Sequence, residues 1–244
     1  MYLRGKFGYT DMIKNLVFDF GGVLTAIDTK QAIERFRNLG LQNPEEYLNA
    51  YKQTGIFFQL ENGDIDAETF CTELGKLCGR TISYDEALHA WMGFIVAVQT
   101  EWMEYLQKLR GSYRLCVLSN TNPFLQGWAR SPKLTAEGKS LDDYFDELYL
   151  SYLMGCSKPG EEIYKKMLAD GNMLPEETLF VDDGERNTEA AKELGIRTLK
   201  AVNGEDWREE LEKILKGDSC HKSGNGTGYN RTVSNPGGRG RTDC

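Results

Sequence analysis

The side chains best suited to chemistry follow short apolar runs or precede a helix. There are four such features: Asp19-Phe20-Gly21-Gly22, Ser119-Asn120-Thr121-Asn122, Lys158 and Asp182-Asp183-Gly184. Each alone is compatible with a purely structural role, as a turn acid, a helix cap, a surface lysine or two solvated carboxylates. Together they offer an attacking carboxylate, a cation, hydroxyl and amide donors and a metal site. Phosphoryl transfer needs these groups.

The adjacent carboxylates of Asp182 and Asp183 predict a divalent metal site. Neighbouring carboxylates at a strand end raise each other's pKa unless a cation lies between them. Mg²⁺ prefers hard oxygen ligands and commonly uses one or two carboxylates with substrate phosphate and water. Ser119 and Asn120 predict a phosphate site, because Pro123 suits the first turn of a helix and helix N-termini attract anions.

The elements that must position these groups alternate along the chain. Strands are predicted at Asn15–Phe20, Arg114–Ser119, Glu147–Ser151, Thr178–Val181 and Arg197–Ala201. Helical stretches such as Glu161–Asp170 and Thr188–Leu194 separate them. This alternation predicts an α/β fold, with a Rossmann-like, mostly parallel sheet covered by helices on both faces. Ligands bind beyond the carboxyl ends of the strands in such sheets, where the four features fall.

One long segment interrupts the alternation. Between about Thr25 and Val98 the sequence shows amphipathic helical patterns, such as Ala67–Cys78 and Tyr84–Met92, and no good strand. It predicts an α-helical cap inserted between the first and second strands, placed to close the site against water. The predicted domains are a core of residues 12–24 and 99–216 and a cap of residues 25–98. Residues 1–11 are expected to be an extension and residues 217–244 a disordered tail.

The composition narrows the classes of partner. Hydrophobic residues make up 40% and charged residues 27%, which is ordinary for a soluble globular protein. The net charge of −8 predicts no sequence-independent binding to nucleic acid or anionic lipid. Six cysteines without a CxxC pair, and two histidines, argue against structural zinc. No apolar run suits a membrane span and no signal peptide is evident, so we expect a cytoplasmic protein whose partner is a small phosphorylated metabolite.

With these residues identified, the chain resembles the haloacid dehalogenase (HAD) superfamily over nearly all of residues 12–216. Asp19, Ser119, Lys158 and the pair Asp182-Asp183 match the four motifs of that family in order. Within it, the chain looks most like the α-D-glucose-1-phosphate phosphatase branch. That further likeness rests on the Asp-Phe-Gly-Gly opening, on Leu118-Ser119-Asn120-Thr121-Asn122 and on the cap stretch Glu61-Asn62-Gly63-Asp64-Ile65.

The resemblance implies a role for each matched residue. Asp19 would be the nucleophile that forms an aspartyl-phosphate. Mg²⁺ would be held by Asp19, the backbone carbonyl of Gly21 and Asp182, with Asp183 ligating or orienting from behind. Lys158 would neutralise charge on the nucleophile and the phosphate. The remaining phosphate-binding residues would be Ser119 and Asn120.

The chain departs from the commonest pattern of the superfamily at Gly21. Most of its phosphatases have a second aspartate there as general acid and base, a role typically worth ~10²–10⁴-fold in rate. The glucose-1-phosphate branch shares the gap, and an anomeric oxygen is a better leaving group than a simple alcohol. We predict that Glu61, from the cap, substitutes for the missing acid, although a solvated glutamate at a helix end would look the same in sequence.

Two alternatives remain open at this stage. A 2-haloacid dehalogenase also lacks the second aspartate, but Asp182 and Asp183 would make a poor site for an anionic haloacid without a metal. A non-catalytic HAD-like module that binds a phosphometabolite or a protein is supported by the missing acid. The retained nucleophile, lysine and carboxylate pair argue against it.

Overall fold

The computed structural model describes residues 12–48 and 53–220. The predicted extension, residues 1–11, and the larger part of the predicted tail, residues 221–244, lie outside the described residues. The strands are β1 (Asn15–Phe18), β2 (Thr25–Ile27), β3 (Ile95–Val98), β4 (Arg114–Ser119), β5 (Glu147–Leu150), β6 (Thr178–Asp182) and β7 (Arg197–Lys200).

Five of these strands form one parallel sheet in the order β5-β4-β1-β6-β7. The central strand β1 pairs with β4 on one side and β6 on the other, so that Phe18 lies beside both Val117 and Val181. All parallel strands point the same way, and the ends of β1, β4 and β6 therefore meet at one edge. The predicted α/β fold with a Rossmann-like parallel sheet is confirmed.

Both faces of the sheet are covered. Leu16 and Phe18 pack on one face, and Val17, between them, packs on the other. This explains why β1 reads as a continuous apolar run, as buried parallel strands do. The helices are α1 (Thr29–Leu39), α2 (Gly55–Asn62), α3 (Ala67–Cys78), α4 (Tyr84–Trp91), α5 (Thr100–Leu109), α6 (Pro123–Ala129), α7 (Ser151–Met154), α8 (Glu161–Asp170), α9 (Glu185–Glu193) and α10 (Arg208–Cys220). Helices α5 and α10 cover the face of Phe18, and α8 and α9 cover the face of Val17.

Helices α1 to α4 form the predicted cap around an aromatic core of their own. Phe57 lies at its centre, with ring centroids 5.0 Å from Phe36 and 5.1 Å from Phe70. Phe124 of α6 reaches this cluster from the core domain, 5.6 Å from Phe70. The cap is therefore packed onto the core through aromatic contacts as well as through its chain connections.

Three differences from the sequence prediction matter here, apart from one-residue shifts at the ends of β5, β6 and β7. The predicted cap segment contains strands at its two ends, because β2 and β3 pair antiparallel with each other where the chain enters and leaves the cap. Strands of three and four residues are too short to show an alternating pattern. The first strand ends at Phe18 rather than Phe20, which places Asp19 in the loop.

The third difference lies at the C-terminal end. Helix α10 continues to Cys220, four residues into the predicted disordered tail. A single helix glycine such as Gly217 costs only about 1 kcal/mol, which is too little to end a helix already packed on the core. None of the described helices combines the length and the apolar character needed to cross a membrane.

Candidate active site

Asp19 is the first residue beyond β1, at the centre of the strand-end edge. Its backbone N–H still donates to the Val181 carbonyl at 2.9 Å, so the sheet fixes its position. The side-chain Oδ1 accepts from the Phe20 N–H at 2.7 Å and lies 3.0 Å from Lys158 Nζ. The carboxylate is 13% exposed, which leaves it open to a ligand from one side. Three residues after Asp19, Gly22 turns the chain with a φ of 79°.

Lys158 is buried and joins three strand ends. Its ammonium donates to the Leu118 carbonyl at 2.9 Å and to Asp182 Oδ2 at 2.6 Å, and it contacts Asp19. Burial alone would lower the pKa of Lys158, but the carboxylates of Asp182 and Asp19 outweigh it, and the pKa is raised. The ammonium is therefore charged and its three protons are already used. It contacts the nucleophile candidate directly, and in this arrangement it holds no proton free for phosphate.

The two adjacent carboxylates have different surroundings. Asp182 is fully buried, and its Oδ1 accepts from the Gly184 N–H at 2.7 Å and from Asn187 Nδ2 at 3.0 Å. With Lys158 on Oδ2, both oxygens of Asp182 are held by protein donors. The Asp183 carboxylate accepts no hydrogen bond from another of the described residues, and it lies against Gly22, where an added Cβ would come within 2.3 Å of Oδ2. Asp183 is thus the more available ligand of the pair.

The site is short of positive charge, and its donors suit a hard divalent cation. One carboxylate oxygen from each of Asp19, Asp182 and Asp183 can be chosen so that all lie within 4.8 Å of one another. Burial raises the pKa of Asp19 to about 7, and both neighbouring carboxylates add to the rise although Lys158 opposes it. Burial likewise raises the pKa of Asp183 to about 6, with Asp182 adding to it. An all-oxygen set of this kind fits Mg²⁺.

The second motif is arranged differently from the prediction for Asn120. Ser119 ends β4 and is buried, with its hydroxyl near the same strand-end edge. The Asn120 side chain instead binds the backbone of Lys158, donating to its carbonyl at 2.9 Å and accepting from its N–H at 2.8 Å. Since both ends of this amide are engaged, the Asn120 side chain orients the Lys158 loop, and the binding of phosphate by Asn120 stays a prediction.

Glu61 reaches the site from the end of α2 in the cap. Burial raises the pKa of its carboxyl to about 8, the side chain of Asn122 opposes this, and the charge of Asp19 adds to it. Glu61 therefore stands within electrostatic range of the nucleophile candidate and is protonated at neutral pH. The Glu61 side chain is partly exposed, so it is neither fully solvated nor fully buried, and its catalytic role stays a prediction.

Cap and core enclose a cavity of about 1050 Å³ beside these groups. Its core wall includes Asn120, Lys158 and Asp183. Its cap wall carries mostly polar or amphipathic side chains: Glu45, Glu46, Tyr47, Gln53, Thr54, Phe58 and Glu61. A cavity of this size accommodates a small ligand with several hydroxyl groups.

Three residues to which sequence reasoning assigned no individual role support the site. Asn187 in the first turn of α9 holds Asp182, Asn122 lies beside Glu61, and Ser151 begins α7 at the carboxyl end of β5. Ser151 closes a predicted strand, so the strand-end rule could have identified it. Nothing in the spacing of the other two indicates their partners.

Several known proteins are similar to this chain over most of its length. The family model for haloacid dehalogenase-like hydrolases matches residues 13–195. A D-ribitol-5-phosphate phosphatase of Bacteroides thetaiotaomicron is 50% identical over 84% of this chain and 99% of its own. The structure of a predicted HAD-like family hydrolase from Porphyromonas gingivalis is 41% identical, with a TM-score of 0.81 over 84% of this chain and 98% of that one. A HAD family enzyme of B. thetaiotaomicron, solved in complex with magnesium and inorganic phosphate, is 39% identical, with a TM-score of 0.74 over 82% and 99%.

Proposed function

This chain belongs to the haloacid dehalogenase-like hydrolase family, and we propose that it is a magnesium-dependent phosphatase of small sugar or sugar-alcohol phosphates. Its reaction class is the hydrolysis of a phosphoric monoester, the class of the relative at 50% identity. The observation that carries the proposal is the cluster of the Asp19, Asp182 and Asp183 carboxylates, of which Lys158 contacts only Asp19 and Asp182. An anionic haloacid would add to this excess of negative charge. A phosphate ester can share a Mg²⁺ ion with the carboxylates, and that ion would offset the negative charge of both.

Asp19 is the proposed nucleophile. Its Oδ1 is fixed by Phe20 and Lys158, whereas Oδ2 receives no hydrogen bond from any residue in the described part of the chain. Attack on phosphorus forms an Asp19 acyl phosphate as the bond from phosphorus to the ester oxygen breaks. Lys158 favours the ionised form of Asp19, because its charge lowers the pKa of a carboxyl that burial raises to about 7.

Asp19, Asp183 and the backbone carbonyl of Gly21 are the proposed ligands of Mg²⁺, with Asp182 held behind them by Lys158 and Asn187. When bound, Mg²⁺ would neutralise the charge on the phosphoryl oxygens. Ser119 is the proposed protein donor to those oxygens, in keeping with its place at the end of β4. This assignment makes Asp183 the metal ligand where the resemblance implied Asp182, because both oxygens of Asp182 already accept hydrogen bonds from protein donors.

Glu61 is the proposed general acid in place of the aspartate missing at Gly21. Its proton passes to the ester oxygen as the leaving alcohol departs, and the resulting carboxylate takes a proton from the water that attacks the acyl phosphate. Inorganic phosphate and free Asp19 are then released. A carboxyl with a pKa near 8 is protonated at neutral pH, as the first step requires.

The relative and the cavity support the proposed substrate class. The likeness to the D-ribitol-5-phosphate phosphatase supports a sugar-alcohol phosphate as the substrate, rather than the glucose 1-phosphate expected from the sequence. Polar cap side chains such as Gln53 and Thr54 suit a chain of hydroxyl groups. A sugar alcohol is a poorer leaving group than an anomeric hydroxyl, so this substrate makes a proton donor such as Glu61 more necessary.

The test is a panel of sugar and sugar-alcohol phosphates, together with p-nitrophenyl phosphate, assayed for phosphate release with Mg²⁺ and with EDTA. We expect hydrolysis that EDTA abolishes, and none from Asp19→Asn. Halide release from 2-chloropropionate without a metal would instead identify a dehalogenase. Inertness toward every ester would favour the non-catalytic alternative.

A further inference from the structure

The cap meets the core at a close contact beside the site. The turn after α2 contains Gly63, whose φ is 79°, and a Cβ there would lie 2.1 Å from the carbonyl oxygen of Tyr152. Any side chain at Gly63 would push the cap away from α7. The close approach places Glu61, two residues earlier, against the strand-end edge of the core.

One buried hydroxyl joins the three segments that meet here. Ser151 is fully buried, and its Oγ accepts the Thr121 N–H at 3.0 Å. The same Oγ lies 2.5 Å from the Glu61 carbonyl and 3.2 Å from the Thr121 carbonyl. A hydroxyl has one proton to donate, and the shorter contact assigns it to Glu61. Ser151 thus links the cap backbone at Glu61 to the loop that follows β4.

The next residue of that loop faces the Glu61 side chain. Asn122 uses its Oδ1 as the cap of α6, accepting from Phe124 at 3.1 Å and Leu125 at 3.2 Å. Its Nδ2 is buried and has no hydrogen-bond partner among the described residues, yet the side chain lies near enough to oppose the rise in the pKa of Glu61. Ser151 therefore holds the backbone of Glu61, and Asn122 faces its carboxyl.

We propose that Ser151 is a positioning residue, whose hydroxyl fixes the cap backbone so that the Glu61 carboxyl stands over the Asp19 site to protonate the leaving alcohol. This inference rests on the proposed function. In the step concerned, the bond from Asp19 to phosphorus forms, the bond from phosphorus to the ester oxygen breaks, and the Glu61 proton moves to that oxygen. Misplacing a catalytic group by about 1 Å can cost ~10²-fold in rate.

The experiment compares two leaving groups. In p-nitrophenyl phosphate the leaving phenol is acidic and needs little protonation, whereas in glycerol 1-phosphate the leaving alcohol needs a proton. Because kcat/KM covers only the steps up to departure of the alcohol, Ser151→Ala should lower kcat/KM for glycerol 1-phosphate by about tenfold to a hundredfold and kcat/KM for p-nitrophenyl phosphate by less than about threefold. Added to Glu61→Gln, Ser151→Ala should cause almost no further loss, because the positioned carboxyl is already gone.

Matched controls separate positioning from folding. Ser131→Ala removes another serine hydroxyl that donates to a backbone carbonyl, that of Trp128 at 2.7 Å, and should leave both rates unchanged. Gly63→Ala disturbs the same contact from the cap side and should reproduce the leaving-group dependence, so it carries the test if Ser151→Ala does not fold. Melting temperatures identify folded variants.

Equal losses on both esters, no loss on either, or additive losses in the double variant would overturn the role of Ser151. A wild-type chain inert toward both esters would overturn the proposed function, and this inference with it.

Discussion

Replacing Lys158 with methionine removes the charge that compensates the carboxylates of the site and keeps a side chain of similar length. Nζ lies 2.6 Å from Asp182 and 3.0 Å from Asp19, and the side chain is 1% exposed. Removing one partner of a buried ion pair typically costs about 3–5 kcal/mol, because the other charge stays buried without compensation. Two carboxylates lose the same partner here, so we expect the upper part of that range, about 4–5 kcal/mol.

The loss should depend on pH in a defined direction. The pKa of Asp19 is about 7 with Lys158 present, above its ordinary value, and it rises further when the ammonium that lowers it is removed. A raised folded-state pKa means that the folded chain binds the extra proton, so its stability decreases as the pH rises. The difference between Lys158→Met and wild type should therefore be largest at pH 8 and smallest at pH 5.

Urea denaturation followed by circular dichroism in EDTA, at pH 5 and pH 8, measures the loss of unfolding free energy and its dependence on pH. Adding Mg²⁺ should restore part of the stability, since a divalent cation replaces the lost charge. Lys213→Met is the control, because Lys213 pairs with Glu209 at 2.8 Å on the surface, where the two side chains are 63% and 78% exposed. The unfolding midpoint of this variant should equal that of wild type. A loss below about 1 kcal/mol for Lys158→Met, as for an exposed pair, would refute the reasoning.

The remaining predictions concern Glu61 and Gly22. Glu61→Gln should lower kcat/KM for alkyl phosphates by about 10²–10⁴-fold and hardly change kcat/KM for p-nitrophenyl phosphate, as steady-state kinetics will show. The same variant should melt at a higher temperature than wild type at pH 8. Burial raises the pKa of Glu61 to about 8, from 4.5, so that ionising it weakens the fold as the pH rises through this interval. An equal or lower melting temperature would contradict the assigned burial. Gly22→Ala should weaken Mg²⁺ binding, measured by calorimetry, because its Cβ would lie 2.3 Å from Asp183 Oδ2. Gly138→Ala is the control, with φ of 78° and open space at the Cβ, and should bind Mg²⁺ normally.

The sequence predicts the parts of the site that depend on strand order. Asp19, Ser119 and Asp182 each follow or end a buried strand, and the carboxyl ends of parallel strands meet at one edge. This rule brings the three residues together without any knowledge of side-chain contacts. The sequence indicates Lys158 only by its order among the four motifs, and its contacts with Asp19 and Asp182 are known only from the structure.

Contacts between distant loops could not be predicted in this way. The Asn120 amide binds the backbone of Lys158, 38 residues away, and no local pattern indicates such a pairing. The meeting of Ser151 with Glu61 depends on how the cap packs, which is decided by rings such as Phe70 and Phe124 rather than by spacing. The domain boundaries and the cytoplasmic location stay predictions.

The central claim is that Asp19 carries the phosphoryl group between the two halves of the reaction. Enzyme mixed with a phosphate ester and Mg²⁺, quenched in acid and treated with borohydride, tests it directly. Reduction of an acyl phosphate converts the aspartate to homoserine, which peptide mass spectrometry locates. The account predicts homoserine at position 19, formed only with substrate and absent from Asp19→Asn. Turnover without modification at Asp19, or modification at another carboxylate, would contradict it.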